Sequence, residues 1–258
     1  MLENRRAGTA SPMEKDRQYH IDIAPNEIPE RVLLPGNPFR ARKIADEFFD
    51  NPEEIAHKRE YWSFKGSWKG VPVAVCSTGI GCPSAAIALE ELVKIGCKTF
   101  IRVGTSGAID SSLRAGDIVI FSGAVRDDGT SKQYVPVEFP AVADPEMVMA
   151  LTNAAKKRNA RFKVGIGHSK DAFYSEYPSM VADSDAMESR WDWLRNSNVL
   201  ATEMEAAVLF TLGQLRTVKV GSACVIVGEP IEKEKKIGGK PKLDDLVSIA
   251  LDAAITFR

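Results

Sequence analysis

The chain has 258 residues, 44% of them hydrophobic and 27% charged, with a formal net charge of −1. That length holds one large α/β domain or two small ones, and the composition is that of a globular protein. The near-zero charge gives no electrostatic case for nucleic acid or a membrane surface.

In chain order, residues 1–18 are polar, mixed in charge and without the apolar core of a signal peptide. They are expected to form a mobile N-terminal extension ahead of a single domain over residues 19–258. Arg31-Val32-Leu33-Leu34 reads as a short strand. Asn37-Pro38 then offers an N-cap followed by proline in the first turn and opens a helix to about Phe48. Val71 to Ser77 is a continuous apolar strand, and Pro83 to Ile95 a helix stopped by Gly96. Thr99 to Val103 and Asp117 to Phe121 are strands. Asp144-Pro145 repeats the cap-plus-proline signal and opens a helix to about Arg158. Phe162 to Gly167 and Val218 to Val227 are strand-like, and Leu243 to Phe257 is a final amphipathic helix. Alternating strands and helices predict a single-domain α/β fold with a mixed, mostly parallel central sheet flanked by helices. No apolar run reaches the length of a membrane span. Cys76, Cys82, Cys97 and Cys224 show no C-x-x-C spacing, so buried free thiols in a reducing cytoplasm are expected rather than disulfides or zinc. His20, His57 and His168 are scattered and give no metal-ligand pattern.

Four segments carry chemistry. Leu34-Pro35-Gly36-Asn37-Pro38-Phe39-Arg40 ends a strand in glycine and starts a helix at once. Free N–H groups there, with the helix dipole behind them, favour an anion. Arg40 is badly placed for the dipole, and a bound anion would offset that; an ordinary turn with a solvated arginine is an equal alternative. Arg102 sits inside the apolar strand Phe100-Ile101-Arg102-Val103, where a charge is costly unless paired. The loop expected after it, Gly104-Thr105-Ser106-Gly107, lies at the strand's carboxyl end, where open α/β sheets bind ligands. An internal salt bridge is the alternative for Arg102. Ser77 to Ser84 looks like a dinucleotide fingerprint but lacks the third glycine and the following acid, so a tight packing turn is the better reading. Last, Thr202-Glu203-Met204-Glu205 has two readings. As a capping box, Thr202 caps a helix and Glu205 reaches back. Alternatively, Glu203 and Glu205 together hold a sugar diol. Residues i and i+2 of a regular helix point to different faces, so the second reading needs an irregular junction.

Taken in order, these segments resemble a known family, together with Tyr19-His20-Ile21, His57-Lys58-Arg59-Glu60-Tyr61, Glu138-Phe139-Pro140-Ala141-Val142 and Asp171-Ala172-Phe173-Tyr174. It is the nucleoside phosphorylase family whose subunits assemble as trimers or hexamers, in particular its uridine phosphorylase branch. The resemblance runs from about Tyr19 to the end and implies a cytoplasmic pentosyltransferase that needs no cofactor and uses inorganic phosphate as co-substrate. It implies that the Gly36 N–H, Arg40, Arg102 and Thr105 hold phosphate, joined by Arg59 from a neighbouring subunit. Glu203, Met204 and Glu205 would hold the ribose, with His20 of a neighbour on the 5′-hydroxyl. Phe173 would stack near the base, with Ser106, Gly107, Ile226 and Val227 lining its pocket. Glu60, Ile80 and Ser84 match positions that hold a monovalent cation such as K+ in some uridine phosphorylases; plain packing is slightly favoured there. Arg40, Arg102 and Glu205 would be the catalytic centre, and a hexamer with shared active sites the assembly.

The chain departs from the family at the base. After Phe173-Tyr174 it has Ser175-Glu176-Tyr177-Pro178-Ser179, without the Gln-x-Arg that reads uracil in the well-known bacterial enzymes. Val227-Gly228-Glu229 replaces the acid that purine-specific relatives use, and Glu229 or Lys170 is the candidate substitute. Uridine is therefore ranked first, with a purine or broad-specificity phosphorylase as the alternative. A nucleosidase would not need the three arginines, and a non-catalytic nucleoside-binding protein would not need them alongside both carboxylates.

Overall fold

The computed structural model describes residues 16–228 and 243–257. Neighbouring residues on its central strands bury their side chains on opposite faces, as the pleat requires. Leu34 and Phe100 enter one apolar cluster and Leu33 and Ile101 the other. A strand covered on both sides reads as an unbroken apolar run, which is why the central strands were legible.

The elements in chain order are β1 (Arg31–Leu34), α1 (Pro38–Phe48), β2 (Asp50–Lys58), β3 (Tyr61–Trp68), β4 (Val71–Cys76), α2 (Cys82–Lys94), β5 (Thr99–Ala108) and β6 (Ile118–Asp127). Then come α3 (Thr130–Tyr134), β7 (Ala141–Val142), α4 (Pro145–Lys157), β8 (Phe162–Lys170), α5 (Ser184–Asn196), β9 (Ala201–Glu203), α6 (Ala206–Arg216), β10 (Lys219–Gly228) and α7 (Asp244–Ala254). The two cap-plus-proline helices start where expected. The Asn37 side chain accepts from the Phe39 N–H at 2.8 Å and the Asp144 side chain from Met147 at 2.9 Å.

All ten strands join one mixed sheet, in the order β10-β6-β8-β9-β5-β1-β4-β3-β2 with β7 on β6. Parallel pairings hold its centre: β1 with β4 and β5, β5 with β10, and β8 with β6 and β9. Because β10 pairs with β5 as well as with β6, five strands close into a ring. Helices cover both faces. Leu89 of α2 and Phe210 of α6 pack on one side, and Ile44 of α1, Leu151 of α4 and Ile249 of α7 on the other.

Three expectations change. Gly104 to Gly107 is not a loop. β5 continues to Ala108, because β10 pairs along its whole length and Gly107 pairs with Thr202 of β9. The antiparallel meander β2–β3–β4 was not foreseen, and neither was α5. At the N-terminus, residues 1–15 lie outside the described residues, but 16–18 belong to the fold: the Gln18 N–H donates to the Ile23 carbonyl at 2.9 Å. The four cysteines are free and buried, as expected. Among the described residues no helix is long and apolar enough to cross a membrane.

Candidate active site

Arg102 is held in the middle of the sheet, with Leu34 of β1 beside it on one flank and Ser222 of β10 on the other. It is only 4% exposed. Its Nε donates to Glu203 Oε2 at 2.7 Å, and its Nη2 pairs with Glu205 Oε2. The two acids therefore do converge, on a buried guanidinium a hundred residues away in sequence.

They can do so because the junction between β9 and α6 is irregular. β9 runs through Glu203, and Glu205 takes φ −141° and ψ −26°, outside the helix. The capping box does not form: Thr202 is still in the strand, and its hydroxyl contacts His168 Nδ1 at 3.0 Å and Lys170 Nζ at 2.9 Å. Glu203 takes over the capping role, accepting from the N–H groups of Glu205 at 2.8 Å and Ala206 at 2.9 Å. Ser169, which no sequence pattern singles out, donates its hydroxyl to Glu203 and accepts from the Ala207 N–H at 2.9 Å. Glu205 instead accepts from the Gly81 N–H at 2.6 Å, which ties the start of α2 to the start of α6.

Burial alone would lower the pKa of Arg102, but the charges of Glu205 and Glu203 outweigh it and raise it. For Glu205 burial raises the carboxyl and Glu203 adds to the rise, against Arg102. The two directions agree physically: one guanidinium is shared between two carboxylates, so the cation is over-compensated and Glu205 under-compensated.

Arg40, in the first turn of α1, reaches the Val103 carbonyl at 3.4 Å. Burial lowers its pKa, and the Arg102 charge lowers it further. Among the described residues it has no ion-pair partner. A largely desolvated guanidinium beside a second one is a place for an anion. Gly36 lies at the end of β1 on the same side of the strand order, so close to Gly79 that a Cβ would meet the Gly79 carbonyl oxygen at 3.0 Å. Thr105 is three residues beyond Arg102 on β5, and Met204 is half-buried between the two acids.

Of the residues expected at the base, four lie at the ends of β5 and β10. Ser106 stands opposite Ile226 in the β5–β10 register, and Gly107 stands opposite Gly228. Val227 falls between them as the extra residue of a bulge. The Ser106 hydroxyl is buried with no hydrogen-bond partner among the described residues. Phe173 is 42% exposed on a turn just beyond β8, its ring edge-on to Tyr174. Lys170 is not a free proton donor, since its Nζ pairs with Glu176 at 2.7 Å as well as with Thr202. Glu229 lies outside the described residues. Beneath Lys170, burial lowers the pKa of His168, which sits 3.0 Å from Asp127.

Two residues do not join the cluster. Arg59 is exposed in the β2–β3 turn at φ +55°, without an ion pair among the described residues. His20 is bound to Glu91 of α2 instead, Nδ1 to Oε1 at 2.6 Å. Glu91 is about ten residues along α2 from Gly81, and at about 1.5 Å rise per residue that is roughly 15 Å from the Glu205 contact. As for the cation trio, Ser84 Oγ donates to Glu60 Oε1 at 2.9 Å and contacts the Thr78 carbonyl, while Ile80 is exposed. Gly79, at φ +73°, leaves room for that contact: a Cβ there would meet Glu60 Cγ at 2.6 Å.

A buried arginine bridging two carboxylates, beside a second arginine without an ion pair among the described residues, can hold an anion and a polyhydroxylated ligand side by side. A sequence profile described as the phosphorylase superfamily matches residues 30–246, which contain this whole cluster. The chain belongs to that superfamily. This superfamily member is 44% identical to the uridine phosphorylase of Treponema pallidum (strain Nichols) over 83% of each chain. It is 39% identical to the guanosine phosphorylase of Halorubrum lacusprofundi over 92% of each chain. Among solved structures it resembles the uridine phosphorylase of Vibrio fischeri ES114, with a TM-score of 0.81 and 28% identity over 94% of this chain and 98% of that one. The superfamily assignment fits the mixed sheet and helices covering both its faces.

Proposed function

We propose that the chain is a uridine phosphorylase that converts uridine and inorganic phosphate to uracil and ribose 1-phosphate. The observation that carries this is the arrangement of Arg102 between Glu203 and Glu205, with Arg40 next to it and without an ion pair among the described residues. Arg40, Arg102, Thr105 and the Gly36 N–H place phosphate beneath the anomeric carbon. Glu205 accepts from the 2′- and 3′-hydroxyls, and Met204 packs on the sugar. A phosphate oxygen forms its bond to C1′ as the C1′–N bond breaks through an oxocarbenium-like sugar. The bonding pair leaves on the base, which takes a proton from solvent. No protein group carries a covalent intermediate, so catalysis is positioning and charge complementarity.

His20 and Arg59 serve a neighbouring subunit. The roughly 15 Å of α2 between Glu91, which holds His20, and Gly81, which holds Glu205, supports this, as does the exposure of Arg59. A homo-oligomer with shared sites follows, a hexamer by the family resemblance, working in the cytoplasm without a cofactor. At Glu60, Ile80 and Ser84 the hydrogen bond between Glu60 and Ser84 favours packing over a K+ site. Arg59→Ala and Glu205→Gln subunits should each be inactive alone. Mixed and allowed to exchange, they should regain activity, because some sites then combine an intact Arg59 with an intact Glu205. Full activity from a monomer would exclude the shared site.

Purine nucleosides are the second reading, favoured by the similarity to a guanosine phosphorylase. A site that hydrogen-bonds its substrate rejects analogues lacking the matching groups, and here the uracil reader is missing. Uracil leaves as a delocalised anion and needs a proton donor less, which keeps uridine first. The test is a panel of uridine, thymidine, inosine, adenosine and methylthioadenosine with and without phosphate. Uridine should be cleaved fastest, only with phosphate, and with broad base tolerance. A preference for inosine or adenosine of ~10-fold or more, judged against the 10–200-fold that apolar pocket contacts can supply, would reverse the order. Base release without phosphate would make the protein a hydrolase.

A further inference from the structure

Glu91 is a buried charge that no lysine or arginine pairs with among the described residues. It is 7% exposed on α2, and among the described residues its hydrogen bonds go to one short segment. Its carboxylate accepts from the His20 N–H at 2.9 Å, from the Ile21 N–H at 2.9 Å and from His20 Nδ1 at 2.6 Å. A second clamp holds the same segment: Lys58 Nζ donates to the Tyr19 carbonyl at 2.6 Å and lies 4.9 Å from the Tyr19 ring centre. Lys58 is the residue before Arg59, so His20 and Arg59 are presented together on one lobe.

We propose that Glu91 is a positioning residue that sets the proton and the direction of the His20 ring for the substrate's 5′-hydroxyl. The inference rests on the reading of His20 given above. An acceptor at Nδ1 keeps the ring proton there, and the other nitrogen, Nε2, has no partner among the described residues. Nε2 is then an acceptor with a fixed aim, and a primary hydroxyl is the donor that matches it. The metal-ligating histidine held by a carboxylate behind it works by the same arrangement, here with a hydroxyl in place of the metal.

The test uses the assembled full-length protein and two substrates, uridine and 5′-deoxyuridine, which lacks the hydroxyl. A single hydrogen bond is worth roughly fivefold in binding, so the wild-type ratio of kcat/KM, uridine over 5′-deoxyuridine, should be about that size and reside in KM. His20→Ala should bring the ratio to about one. Glu91→Ala and the milder Glu91→Gln should lower the ratio in the same direction, and the His20→Ala/Glu91→Ala double variant should fall no further than His20→Ala. A ratio kept by both Glu91 variants while His20→Ala abolishes it would overturn the role of Glu91 alone. Equal loss on both substrates would show that Glu91 merely holds the fold and would overturn it too. A ratio untouched by His20→Ala would overturn the role of His20 and with it this proposal. Lack of phosphorolysis in the wild type would instead sink the proposed function.

Discussion

Replacing Arg102 with alanine should lower phosphorolysis by at least about 10-fold, since a charged hydrogen bond contributes roughly 1.5–3 kcal/mol, and should destabilise the protein as well. The second effect follows from the ion pairs. Arg102 neutralises two buried carboxylates, Glu203 and Glu205, and removing one partner of a buried pair typically costs about 3–5 kcal/mol. At about 2–4 °C per kcal/mol for a chain of this size, Tm should drop by roughly 10 °C. The two effects separate the two readings of the residue. If Arg102 is an internal salt bridge and nothing more, the variant melts earlier but, measured well below its melting point, turns over phosphate with unchanged KM and kcat. If it also holds phosphate, those kinetic constants change in molecules that are fully folded. Sulfate should protect the wild type against heat and protect the variant much less.

Glu205→Gln should be the second severe change. The amide keeps the volume and one acceptor for the Gly81 N–H, now 2.6 Å from the carboxylate, but loses the charge. Two ribose hydroxyls donating to a carboxylate at roughly 1.5–3 kcal/mol each make a loss on the order of 100-fold or more reasonable. The loss should be selective. Wild type should prefer uridine to 2′-deoxyuridine, and the variant should lose much of that preference. Stability should not suffer comparably. Burial raises the Glu205 pKa and the neighbouring Glu203 raises it further, so the protonated acid adds stability below its unfolded pKa, and that contribution is lost as pH rises through its folded one. A neutral amide avoids that loss, and at neutral pH the variant should melt no earlier than a few degrees below wild type. A variant as active as wild type with unaltered sugar preference would leave Glu205 as a structural partner of Arg102 only.

Much of this was legible in the sequence, for reasons that differ by element. β1, β4 and β5 are apolar runs because both faces are covered, and α1 and α4 announce themselves through Asn37-Pro38 and Asp144-Pro145. β2 is different: it is almost wholly exposed and carries Asp50, Glu53, Glu54 and Lys58, so no buried face imposes an alternation. It is a strand because β3 pairs with it. α5 likewise buries only Leu194 and shows no apolar stripe. The site was half legible. Arg102 in an apolar strand asked for a partner, and two nearby acids asked for a shared ligand. That each answered the other depends on β9 running one residue past Thr202, a consequence of its pairing with Gly107 and His168 that no local pattern encodes.

The extra residue at Val227 divides the site into two regimes of tolerance. Upstream of it, β5 and β10 stay in register from Thr99 and Lys219 to Ser106 and Ile226, and Arg102 depends on that register. Val227 itself answers to no partner on β5, so its side chain can be exchanged without disturbing a ladder hydrogen bond. Its removal would take the bulge out and leave Ile226 and Gly228 adjacent, opposite Ser106 and Gly107. The strand end can therefore diversify in side chain while the register that places Arg102 stays where it was.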